Sequence, residues 1–118
     1  MTFNQEYAIE GLWHEILHAK SKTKRYYLTD QERKAMETIN QFVARHTYDK
    51  FLKRLGGKAS HKEDILDKGH GYKKWITEFR NDLKSKNITE EEALKHFEPL
   101  LMSDYKSLIH EKQKFLNR

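Results

Sequence analysis

One proline and five glycines are all that interrupt 118 residues. Proline removes a backbone donor and glycine loosens the chain, so a sequence nearly lacking both has few places to turn. Between those few breaks, apolar residues recur three and four apart, the spacing of one helical face. The chain is therefore expected to be all-α: a small bundle of about five helices in a single domain over 1–118, whether whole or cut from a longer protein. Charged residues make up 35% and the hydrophobic class 36%. That balance suits a thin bundle with solvated faces better than a thick layered fold.

Capping patterns divide the chain. A first helix is expected over residues 4–21, with Asn4 as N-cap and Tyr7, Ala8, Leu12, Ile16, Leu17 and Ala19 as apolar positions. A long second helix opens at Thr29-Asp30-Gln31-Glu32, a capping-box pattern. It stops at Gly56-Gly57, and its length admits a break near His46-Thr47-Tyr48. Ser60-His61-Lys62-Glu63 is another capping box, opening a short third helix that ends at Lys68-Gly69. Gly69-His70-Gly71-Tyr72 makes a loop before a fourth helix over 72–86, with Trp75, Ile76, Phe79 and Leu83 as its core stripe. Thr89-Glu90-Glu91-Glu92 caps a fifth helix, Pro99 ends it, and a last helical segment spans 103–116. His96 and His110 read as solvated.

The first helix carries His14-Glu15-Ile16-Leu17-His18, an H-E-x-x-H motif. Residues i and i+4 share a helical face, so both imidazoles can address one ion, with the glutamate beside them to activate a metal-bound water. In a chain with seven histidines a chance match arises roughly a few per cent of the time, so the bland alternative is an amphipathic helix with two histidines on its polar edge. A catalytic zinc site of this kind needs a third protein ligand and leaves a fourth position for water. Glu37, on the second helix, has a suitable separation, because the short connection between residues 20 and 28 lets that helix fold back on the first. Without the two histidines, Glu37 would read as a solvated helix-face residue.

H-E-I-L-H-A followed by E-T-I-N-Q-F-V-A resembles the ImmA/IrrE-type metallopeptidases, zincins of the gluzincin-like kind. The resemblance covers roughly residues 8–48. It implies His14, His18 and Glu37 as ligands of Zn²⁺, Glu15 as general base, and Asn40 in the place of the Asn or Asp that orients a metal-bound histidine. It further implies hydrolysis of a peptide bond in a protein or peptide substrate. His46 and His70 are the candidate substrate contacts. The sequence departs from the family in spacing Glu37 and Asn40 three apart where four is common. It also has Arg45-His46-Thr47-Tyr48 where a Leu-Leu-Met-Pro run often follows.

Zincins usually place a β-sheet before the motif helix, and its edge strand binds extended substrate. Thirteen residues precede His14, too few for a sheet. The competing expectation is a non-catalytic helical interaction or assembly module with a vestigial or accidental motif, distantly similar to domains appended to phage head-morphogenesis proteins. The net charge of +5 is spread along the chain and reads as solvated helix faces rather than a nucleic-acid footprint. The one local basic cluster with aromatics is Lys20-Ser21-Lys22-Thr23-Lys24-Arg25-Tyr26-Tyr27. With no cysteine, disulfides and thiolate metal sites are excluded. No apolar run approaches membrane-spanning length and no signal-peptide core opens the chain, which predicts a cytoplasmic location.

Overall fold

The computed structural model describes residues 2–20, 28–69, 72–102 and 105–117. Among them are six α-helices and no strand: α1 (Phe3–Lys20), α2 (Asp30–Arg54), α3 (Lys62–Lys68), α4 (Lys73–Ser85), α5 (Glu90–Phe97) and α6 (Tyr105–Leu116). A 3₁₀ turn, Pro99–Met102, joins α5 to α6. The fold is all-α as expected, with α1 packed along the long α2. The basic cluster beyond Lys20, and His70, lie outside the described residues.

α2 is the axis of the bundle. Thr29 accepts from the Glu32 amide while the Glu32 side chain accepts from the Thr29 amide, the reciprocal cap its sequence promises. The helix then runs unbroken through His46-Thr47-Tyr48. It is buried all round from Thr38 to Arg45, as a helix packed on every side must be. Ile39, Phe42, Val43 and Ala44 meet Ile76, Phe79 and Leu83 of α4, Ala93 and Phe97 of α5, and Leu108 and Phe115 of α6. Gly56 turns the chain away at φ +88°, a conformation that glycine adopts without penalty.

Three local expectations are corrected. The cap of α1 is Thr2, not Asn4: the Gln5 amide donates to Thr2 Oγ1 at 3.2 Å and Gln5 Oε1 accepts from the Thr2 amide at 2.9 Å. No side chain of its own caps α3, so the Ser60 capping box is not made. Instead, buried Glu6 reaches across from α1 and accepts from the Ser60 and His61 amides at 2.5 and 2.6 Å. A full carboxylate is the stronger partner for those two amides, which explains why it displaces the hydroxyl. His96 is half-buried rather than solvated, stacked on Phe115 at 4.6 Å.

The largest surprise is in α1. Of the apolar positions expected to face the core, only Leu17 is buried, and Leu12 is 49% exposed. The face turned inward is Glu6, Glu10, His14 and His18, four polar residues each four apart. They stack as one stripe along α2. Burying such groups is unfavourable unless each finds a partner, so α2 must answer with polar residues of its own. It does so with Glu37, Gln41, Arg45 and Tyr48.

Candidate metal centre

The upper two members of the stripe meet Glu37. His14 and His18 approach through their Nε2 atoms at 2.9 Å, with the rings nearly perpendicular. Glu37 Oε1 lies 2.5 Å from His18 Nε2 and 3.8 Å from His14 Nε2. These side chains can offer one ligand atom each, all within 4.8 Å of one another. A tetrahedral zinc ion with bonds of ~2.0–2.1 Å sets its ligand atoms about 3.3 Å apart. Two nitrogens and one oxygen in a triangle near that size are a donor set zinc accepts. The cluster is sheltered, with His14 and His18 buried and the Glu37 side chain 14% exposed.

Electrostatics in the cluster favour a neutral His14 ring and a charged Glu37 carboxylate. Burial pushes His14 below the usual histidine value, and the neighbouring His18 adds to the effect. Burial alone would raise Glu37. Hydrogen bonds from His18 and Tyr72 outweigh it and hold the carboxyl below its ordinary value. Neutral imidazoles and an ionised carboxylate are the forms a divalent cation requires.

Tyr72 was not among the sequence candidates. Its hydroxyl donates to Glu37 Oε2, and its ring stacks on His14 with centroids 5.8 Å apart. The residue sits at φ 54°, the left-handed region a bulky side chain seldom occupies, at the N-terminus of α4. Burial and the bond to Glu37 push its hydroxyl up to about 12. It therefore remains a donor throughout the neutral range.

Beneath the cluster the stripe continues. Gln41 follows Glu37 by one helical turn and its amide donates to Glu10. Arg45, one turn further, is 1% exposed, lies 4.0 Å from Glu10 and donates to the Gly69 carbonyl at 2.9 Å. Gly69 is needed there for space, since a Cβ would sit 2.9 Å from Arg45 Nη2. Burial pushes the Glu10 carboxyl up to about 7 against the opposing pull of Arg45 and Gln41. At the foot, burial and Glu6 raise the Tyr48 hydroxyl.

The sequence candidates fall in different places. Glu15 is exposed and lines a cleft of about 430 Å³ together with His14 and Tyr72. Asn40 is fully buried and donates to the main-chain carbonyl of His14 at 3.1 Å, so it holds the backbone of that residue rather than its ring. Gln41, at the spacing of four from Glu37, is the α2 amide that lines the cleft beside His14. His46 stands away from the cluster, with its ring 2.9 Å from Glu90 in a group that includes Arg80 and Asp67. Nine residues separate it from Glu37, about two and a half turns, which turns it to the opposite face of α2. His70 lies outside the described residues. The missed signal was the E-x₃-E-x₃-H-x₃-H repeat at 6, 10, 14 and 18, answered on α2 by Glu37, Gln41 and Arg45, each four apart.

Comparison with known protein families, with curated proteins and with solved structures finds no match. Among the described residues, no helix is long and apolar enough to cross a membrane.

Proposed function

We propose that this chain is a zinc-dependent, peptidase-like domain that hydrolyses a peptide bond at His14, Glu15, His18 and Glu37. The observation that carries the reading is the convergence of two buried imidazoles and one carboxylate, from two helices, within 4.8 Å. Two nitrogens and one oxygen gathered at one point are the donor set that a divalent cation would bind in common. Bound zinc would supply Lewis acidity and a water whose pKa falls to about 7.

This chain's own residues would do the rest. Glu15, one residue from His14 and on the rim of the cleft, would take a proton from the attacking water and pass one to the leaving amine. Tyr72 would hold Glu37 through its second oxygen, keeping the first turned toward the histidines. Asn40 would fix the position of α1 at His14. The described residues hold no strand, so an extended substrate would be gripped by side chains of the cleft rather than by a sheet edge.

That lack of a strand is also what favours the second reading, a non-catalytic helical interaction or assembly module in which the motif is vestigial or accidental. A protein of that kind does not turn over peptides with zinc present. Incubating the zinc-loaded chain with a mixed peptide library and reading new amino termini by mass spectrometry separates the two. Cleavage that disappears in Glu15→Gln supports the peptidase, and none at any zinc level leaves the module.

A further inference from the structure

Gly11 sits in the middle of α1, where glycine is the least favourable residue after proline. Nothing local asks for it. Its φ is not positive, and a Cβ placed there would meet nothing within 4 Å. What the missing side chain does is leave open the floor of the cleft of about 430 Å³ that runs from the metal centre along α1. Tyr7, His14 and Tyr72 line the same cleft.

The charge of the cleft is one-sided. Glu10 and Glu15 line it, and no described lysine or arginine does, in a chain that has 23 of them. Arg45 compensates Glu10 from behind without lining the cleft, so the carboxylate that faces the opening is Glu15. A cleft with aromatic and small residues along its walls and a carboxylate at its mouth suits a cation on a long aliphatic stem. The volume is in the range of sites that take one large side chain or small ligand.

We infer that the cleft over Gly11 is a subsite for a lysine or arginine side chain of the substrate. The inference rests on reading the neighbouring cluster as a peptide-hydrolysing centre, and it names which residue lies beside that centre. The stem crosses the helix where Gly11 leaves room, between Tyr7 and Tyr72, and the cation lies at Glu15. Acidic side chains are repelled from the same place.

The test uses two blocked tripeptides, alanyl-arginyl-alanine and alanyl-glutamyl-alanine, each acetylated and amidated, titrated into the metal-free full chain by calorimetry or chemical-shift perturbation. The arginine peptide is expected to bind at least roughly tenfold tighter than the glutamate peptide, because like charges facing one another oppose binding. Gly11→Leu is expected to lose roughly tenfold for the arginine peptide by filling the floor. Gly11→Ala is expected to melt higher than the parent, since no contact is lost and helix propensity improves. Chelator competition should give both variants the parent's zinc affinity. Equal binding of the two peptides, binding of neither, or an unaltered Gly11→Leu overturns the subsite. A chain that prefers the arginine peptide yet takes up no zinc keeps the subsite and loses the peptidase reading.

Discussion

Tyr72 and Glu37, 35 residues apart, are joined by a hydrogen bond from the phenol to the carboxylate oxygen that faces away from His18. The bond fixes the carboxylate of the candidate third ligand from outside the cluster. Partners of this kind are worth roughly 10–100-fold in metal affinity. Tyr72→Phe keeps the ring on His14 and removes only the hydroxyl. It should weaken zinc binding by about tenfold with little change in melting temperature, measured by competition with a chromophoric chelator. Unchanged affinity would mean that Glu37 needs no outside support.

Glu15 is expected to act on the reaction and not on the metal. It is exposed on the cleft rim and is not one of the three converging groups. Glu15→Gln should therefore retain zinc at the parent's affinity while lowering kcat by about 10²-fold or more. A variant that loses zinc would place Glu15 among the ligands instead.

Glu10 gives the fold a pH dependence of definite sign. Its carboxyl is raised from 4.5 to about 7 in the folded chain, first by burial. Between those values the folded state holds more protons than the unfolded, so this residue's contribution falls as pH rises from 4.5 to 7 and is flat above. In the presence of chelator, the stability of the parent minus that of Glu10→Gln should be larger at pH 5 than at pH 8, by at most about 3 kcal/mol. Denaturant melts across that range check it. A difference that grows with pH contradicts the assignment. His14 acts in the opposite sense, its lowered value costing stability as pH falls below 6.5, and it is common to both proteins.

Arg45 is the group whose loss should hurt the fold most. It is 1% exposed, stands 4.0 Å from Glu10, and donates to Gly69 O. Arg45→Ala leaves a buried carboxyl, a buried carbonyl and a cavity, and should cost about 3–5 kcal/mol. Arg45→Met with Glu10→Gln together should recover part of that loss, because no charge is then stranded. Chemical denaturation of the single and double variants measures both.

How much of this could be read from the sequence depends on which interactions shape each element. The caps at Thr29 and Thr89 were legible because a capping box is local, four residues talking to one another. The core stripe of α4 was legible because Ile76, Phe79 and Leu83 obey ordinary apolar periodicity. The orientation of α1 was not. Apolar spacing pointed to Leu12 and Ile16, while the buried side is a column of acids and histidines that makes sense only once α2 stands opposite with its own polar column. The same tertiary pairing hid the cap that Glu6 gives to α3, 54 residues away. It also hid the part of Tyr72, which no motif marks. Sequence spacing did bring His14, His18 and Glu37 into consideration together, since two of them are four apart on one helix and the third follows a short connection.

The direct test of the central claim is the zinc content of the purified chain. After equilibration at low micromolar free zinc and removal of excess, elemental analysis should find about one zinc per chain, as a three-ligand site predicts. His18→Ala should fall to background while remaining helical by circular dichroism. No zinc in the parent, or the same zinc in His18→Ala, contradicts the account.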